Sequence, residues 1–322
     1  MGRNQHSGAK TLMFILCICL CAAAFSWHKY GNSETGDYDP DDLIWNVDHA
    51  ASADKEVKQA VQDVIAKSIT ADMSDAQKVK VIHDYIVLNC AYDYENYRKD
   101  TIPSESFTPR GVLVNHIAVC EGYAAAFKAF MDELDIPCKV MVGTAGEQEE
   151  MENIEGAGKA DKADNSAGQK GNDEEDTENH AWNIVCLDNC WYHVDVTFDD
   201  PVPDRKGMIS YNYFLVPDSV ISRNHWWDAG EYPACIADNN AFISLIGHVC
   251  NSGEEIENEL WSAYQKKTNN YMVIVPKSFV SDYEKIYPYK WSVEEKTSIH
   301  LPDYVYTTEF GQYNIFQFVN GD

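Results

Sequence analysis

The chain has 322 residues, 45% of them hydrophobic, with 8 Trp, 19 Tyr and 12 Phe. That is ample material for a core of about 180 residues with a smaller unit beside it. Against 25 Lys and Arg stand 52 Asp and Glu, a net charge of −27. Such a surface repels a nucleic-acid backbone and an anionic lipid sheet alike, so neither is expected as the main partner.

Arg3 and Lys10 flank the start of an apolar run over 11–27 that holds the small residues Ala22, Ala23 and Ala24. A basic start, an apolar middle and small residues at the end suit export, and the run is slightly short for a spanning helix. Residues 1–26 therefore read as a signal peptide or an N-terminal membrane anchor. Either way the folded part is expected outside the cytoplasm, secreted or held at the outer face of the membrane. Cys17, Cys19 and Cys21 belong to that segment. The remaining Cys90, Cys120, Cys138, Cys186, Cys190, Cys235 and Cys250 are odd in number, which leaves at least one thiol unpaired. Cys186 and Cys190 flank a short turn, so a disulfide across that hairpin is one expectation.

Residues 27–50, rich in Gly, Asn, Ser, Asp and Pro near their start, read as a linker. A helix over 56–69 would place Val57, Val61, Val64 and Ile65 on one stripe. A second over 75–88 does the same with Val79, Ile82, Tyr85 and Ile86, capped by Ser74 or Asp75. Two prolines and a glycine punctuate 103–111. A third helix, from about Cys120 to Leu134, is rich in alanine and phenylalanine and reads as buried nearly all round. A buried strand over 139–144 follows.

Over 146–179 there are 12 Asp and Glu against 3 Lys, and no aromatic residue. This composition predicts a disordered acidic insertion, with two readings: a solvated insertion of no catalytic importance, or a mobile flap beside a site. Strands are then expected over 181–187, 191–198 and 211–216, the first two joined by a tight turn. Residues 51–228 would form the main domain. Residues 229–322, with a helix over 254–266 and strands over 271–276, 304–308 and 314–319, would form a small α+β region of unknown role. The fold class is α+β, with a cysteine-bearing helix packed on an antiparallel sheet.

A cysteine that opens a helix, a histidine that opens a strand and an aspartate within the next strand are the parts of an activated thiol nucleophile. The helix N-terminus and a nearby imidazolium would favour the Cys120 thiolate. His180 is the candidate base, and Asp195 would accept its other N–H and fix the tautomer. Strand alternation puts His180 with Trp182 and Asp195 with His193 and Trp191, so the hairpin can bring His180 and Asp195 to one side. Asp199 and Asp200, before Pro201, suit a turn. Tyr123, Trp182 and Trp191 are candidate walls of a substrate cleft. No CxxC or HExxH spacing occurs, so neither a structural zinc nor any cofactor is expected.

The segments VCEGYAAAF, NHAWNIV with WYHVDVTFDDP, and YNYFLVPDSVISRNH resemble the transglutaminase-like superfamily of thiol enzymes with a papain-like core, over roughly residues 74–227. The resemblance implies a Cys, His, Asp triad, carried here by Cys120, His180 and Asp195. Ala118 stands where a glycine is common in the family, and the acidic insertion is unusually long. An assembled triad would perform acyl transfer on protein or peptide amides, by hydrolysis as a cysteine peptidase-like enzyme. The alternatives are transamidation or deamidation of glutamine side chains, and a noncatalytic surface binding module on the same fold.

Overall fold

The computed structural model describes residues 54–146, 178–205, 207–267, 271–302 and 304–319. The expected signal or anchor, the linker and nearly all of the acidic insertion lie outside the described residues. Among those described, no helix is long and apolar enough to cross a membrane.

Asp54 opens α1 (Lys55–Ser68) by accepting from the backbone N–H of Glu56 at 2.9 Å and of Val57 at 3.3 Å. Its buried stripe is Val57, Val61 and Val64, the three-and-four spacing visible in the sequence. The second helix, α2 (Asp75–Asn89), starts with a capping box in which Ser74 and Gln77 satisfy each other's backbone N–H. It buries Val79, Ile82 and Ile86. A short strand β1 (Ala91–Tyr92) and one helical turn, α3 (Tyr94–Arg98), lead to a 3-10 turn at Ser104–Phe107 and a π-turn at Gly111–Asn115. Strand β2 (Ile117–Ala118) pairs in parallel with β1 and delivers the chain to α4 (Cys120–Glu133). A Cβ at Gly122 would sit 2.4 Å from the Ser106 carbonyl oxygen, so only glycine lets the 3-10 turn lie against the start of α4.

Behind α4 lies a curled antiparallel sheet built from β3 (Cys138–Ala145), β4 (Glu178–Leu187), β5 (Cys190–Val194), β6 (Phe214–Val216) and, after the short helix α5 (Asp218–Ile221), β7 (His225–Trp226). The spatial order is β6-β5-β4-β3-β7. Ala124 and Ala125 of α4 pack on Val140 and Ala181, small side chains that bring the helix close to the strands. This is the predicted α+β arrangement, with the cysteine-bearing helix on an antiparallel sheet.

Register sorts the hairpin's two faces. Asn183 is opposite Val194 and Ile184 opposite His193. Val185, Leu187, Tyr192 and Val194 join the main core, whereas Trp182, Ile184 and Trp191 form a second cluster with Met141 and Tyr213. The strand predicted over 191–198 ends at Val194. Asp195 stops it, because its backbone and side-chain oxygens turn back to accept from Asp199 and Phe198 N–H. The Cys186–Cys190 disulfide is not formed, and all seven described cysteines are free. The two-residue turn at Asp188 and Asn189, both at positive φ, pairs Cys190 with Leu187 and sets Cys186 against Trp191.

Beyond the sheet, α6 (Ile243–Ile246) and α7 (Gly253–Lys266) precede β8 (Tyr271–Pro276), α8 (Tyr287–Thr297), β9 (Tyr304–Phe310) and β10 (Tyr313–Val319). The three strands form an antiparallel sheet in the order β8-β10-β9. Helix α8 is not predicted from the sequence, since Tyr287, Pro288, Tyr289 and Trp291 give it no apolar stripe of helical period. Ile243, Ile246, Ile274, Phe310 and Ile315 belong to the same apolar cluster as Val61, Phe127 and Val194, so this region packs into the main core.

Candidate active site

Cys120 is the first residue of α4, and the N-cap residue Val119 makes no side-chain cap, so the cysteine sits at the positive end of the helix. Cys120 is 8% exposed. The Ala181 backbone N–H approaches the sulfur and favours its thiolate, while the thiol donates to Glu121 Oε2 at 3.1 Å. Burial first, then the Glu121 carboxylate, hold the thiol pKa well above its usual value. The helix terminus that would favour the thiolate is in place, but burial and the carboxylate of the next residue act against it.

His180, the third residue of β4, is buried next to that Ala181 contact. Its Nε2 lies 2.6 Å from Asp195 Oδ2, which leaves Nδ1 as the ring nitrogen able to exchange a proton. Asp195 is completely buried. Burial on its own would raise its pKa, but the His180 and His225 imidazoles hold it below the usual carboxylate range. Oδ1 accepts from the Phe198 N–H at 3.0 Å, so the carboxylate is gripped at both oxygens. Of the three residues expected to act together, His180 and Asp195 are in direct contact, and Cys120 lies against Ala181, the strand residue after His180.

The aromatic candidates divide. Trp182 is 1% exposed and stacks on His180 with ring centroids 5.8 Å apart and planes 17° from parallel. Tyr123 is fully buried and donates to Asp200 Oδ2, so it belongs to the core rather than to a cleft wall. Trp191 is half-buried on the same face of the hairpin as Trp182 and Ile184, in their cluster near the turn.

Two histidines complete the site without having been singled out by sequence. His225 on β7 places Nε2 3.0 Å from Asp195 Oδ2 and Nδ1 2.8 Å from Asn224 Oδ1. The only signal for it was its position at the end of the segment YNYFLVPDSVISRNH. His193 accepts from the Trp182 indole N–H at Nδ1, 3.0 Å, and lies 2.8 Å from Asp218 Oδ1 through Nε2. An indole only donates, so the His193 proton sits on Nε2 and points at Asp218. This chain of contacts pins Trp182 over His180. Burial lowers the pKa of both His193 and His225 against the pull of their carboxylates.

Asp199 and Asp200 do lie in the predicted turn, yet both are buried and carry part of the core's polar network. Asp199 Oδ2 is 3.1 Å from His83 Nε2, and His83 Nδ1 is 3.0 Å from Asp84. Burial alone would depress the His83 pKa, but these two carboxylates raise it to about 9.

Two groups bring ligand-type atoms within 4.8 Å of one another: His180, Asp195 and His225, and His193, Asp218 and Cys235. In the second, the Trp182 contact forces a proton onto the His193 nitrogen that would have to ligate, so the donor set does not suit a metal. In the first, the atoms are joined by hydrogen bonds of 2.6 and 3.0 Å that a metal would have to displace.

Residues 62–196 match the model of the transglutaminase-like superfamily, a span that contains Cys120 and His180 and ends one residue after Asp195. Over 184 residues the chain is 25% identical to the kyphoscoliosis peptidase of Mus musculus, a match that takes in 56% of this chain and 25% of that protein. The chain thus spans about a quarter of the length of that curated relative. Among solved structures it is similar to a TGase, at 18% identity and TM-score 0.30 over 50% of this chain and 34% of the other. A second, a proposed cysteine protease of Cytophaga hutchinsonii, gives 16% identity and TM-score 0.29 over 59% and 47%. Through residues 62–196 the chain is thus similar to the transglutaminase-like superfamily.

Proposed function

We propose that this protein is a thiol enzyme performing acyl transfer on protein or peptide amides, with Cys120 as nucleophile, His180 as base and Asp195 as the group that orients it. One observation carries the reading: a fully buried carboxylate holds His180 through Nε2, beside a cysteine at an uncapped helix N-terminus. Nδ1 then takes the thiol proton as sulfur attacks the amide carbonyl and returns it to the departing amine. The Cys120 backbone N–H would meet the oxyanion. The resulting thioester is released by water. Hydrolysis is favoured because it needs no second binding groove, and the peptidase named among the relatives supports it. Transfer to an amine is the second reading, since the family is the transglutaminase-like one. The apolar run over 11–27 supports action outside the cytoplasm, from a secreted or anchored protein.

The test presents an unfolded protein substrate alone and a glutamine peptide with a labelled primary amine. Fragments that require Cys120 establish hydrolysis, and incorporated label establishes transamidation. The Cys120→Ala variant should lose about 10⁴-fold or more of either activity while keeping its melting temperature. Activity retained in that variant would sink the proposal.

A further inference from the structure

Asp195 Oδ2 faces two imidazoles, not one. His180 Nε2 stands 2.6 Å from it and His225 Nε2 3.0 Å, with the two rings edge to face at 5.3 Å. The second contact is built. His225 is 1% exposed, and a Cβ at Gly143 would lie 2.2 Å from the Trp226 carbonyl oxygen, so the glycine lets β7 close on β3. Beyond the ring, Asn224 Oδ1 lies by Nδ1, and the Asn224 amide itself donates to the Tyr213 hydroxyl at 2.9 Å. The titratable groups around His225 are Asp195, His180 on β4, Tyr213 before β6 and, farther off, His193 on β5.

A carboxylate oxygen has a fixed negative charge to distribute. Each N–H aimed at it lowers the potential it can exert on the other donor. We propose that His225 is a positioning residue that shares the Asp195 carboxylate with His180, fixing its orientation and limiting how strongly it stabilises the His180 imidazolium. The consequence lies in the base: an imidazolium held too tightly would not release its proton to the leaving amine near neutral pH. This inference rests on the triad reading given above.

The experiment is the rate of Cys120 alkylation by iodoacetamide against pH, whose alkaline limb follows loss of the imidazolium. In His225→Phe the carboxylate is left to His180 alone, and that limb should move up by about one pH unit, the scale of one hydrogen bond to a charged group. In His225→Gln, which keeps an N–H donor, it should stay within about 0.3 unit of wild type. An unmoved limb in a folded His225→Phe protein overturns the proposal. As a measurement that needs no variant at this site, alkylation of Cys120 in the wild type should shift the ¹⁵N resonances of both His180 and His225, and an unmoved His225 signal also overturns it. If His180→Ala leaves the wild-type profile unchanged, the triad reading itself has failed.

Discussion

The two antiparallel sheets bury polar groups of different kinds. The sheet behind α4 hides His180, His193 and Asp195, with His225 on its edge strand, all titratable and joined to one another. The sheet of β8, β10 and β9 hides Thr308, Asn314 and Gln317, which never ionise. There, Asn314 donates to the Val280 carbonyl at 3.0 Å and Gln317 to that of Ile209 at 2.6 Å, so these amides stitch loops to strands. Burying an ionisable group is costly unless it is paired, whereas a buried amide needs only a carbonyl. Under the proposed function the first sheet carries the chemistry and the second is scaffold.

The comparison breaks hardest at Asp195. Asp195→Asn should lower kcat by about 10⁴-fold, because an amide can present its nitrogen to His180 and reverse the tautomer; turnover within tenfold of wild type would contradict the assignment. Phe316→Ala, in the buried middle of β10, should cost about 3–5 kcal/mol in urea unfolding yet leave the pH profile of Cys120 alkylation unchanged. A profile that moved with it would mean the two regions are not separate in function.

The charged core is tested by pH. His83 has its pKa raised from 6.5 to about 9 on folding, so its contribution is fully present below pH 6.5 and is lost as pH rises through about 9. Melting temperature should therefore fall over that window, and His83→Gln should flatten this part of the curve. The smallest effect is expected at Glu121. Its carboxylate accepts from the Cys120 thiol and helps to hold the thiol pKa up, so Glu121→Gln should raise the alkylation rate at pH 7 by about tenfold. An unchanged rate would mean that burial alone suppresses the thiolate.

The main helices were legible for local reasons. Valines at three-and-four spacing, a capping residue at Ser74 or Asp75 and an alanine-rich stretch after Cys120 are signals carried within single turns. Helix α8 had no such signal and was missed. The expected strand over 191–198 ran past its end because alternation continues through Val196, while Asp195 satisfies the backbone of the turn instead of the ladder.

The sequence by itself determined which chemistry is available: a cysteine at a helix start, a histidine and an aspartate on adjacent strands, and the period-two alternation that turns the last two the same way. Only the tertiary structure decided how those groups are tuned. Strand β7 comes from 80 residues beyond β3 to set His225 on Asp195, and the sulfur meets Glu121 on one side and the Ala181 N–H on the other. Residue type and local period are properties of neighbours along the chain. A pKa depends on burial and on charges within a few ångströms, and those neighbours exist only once the chain has folded.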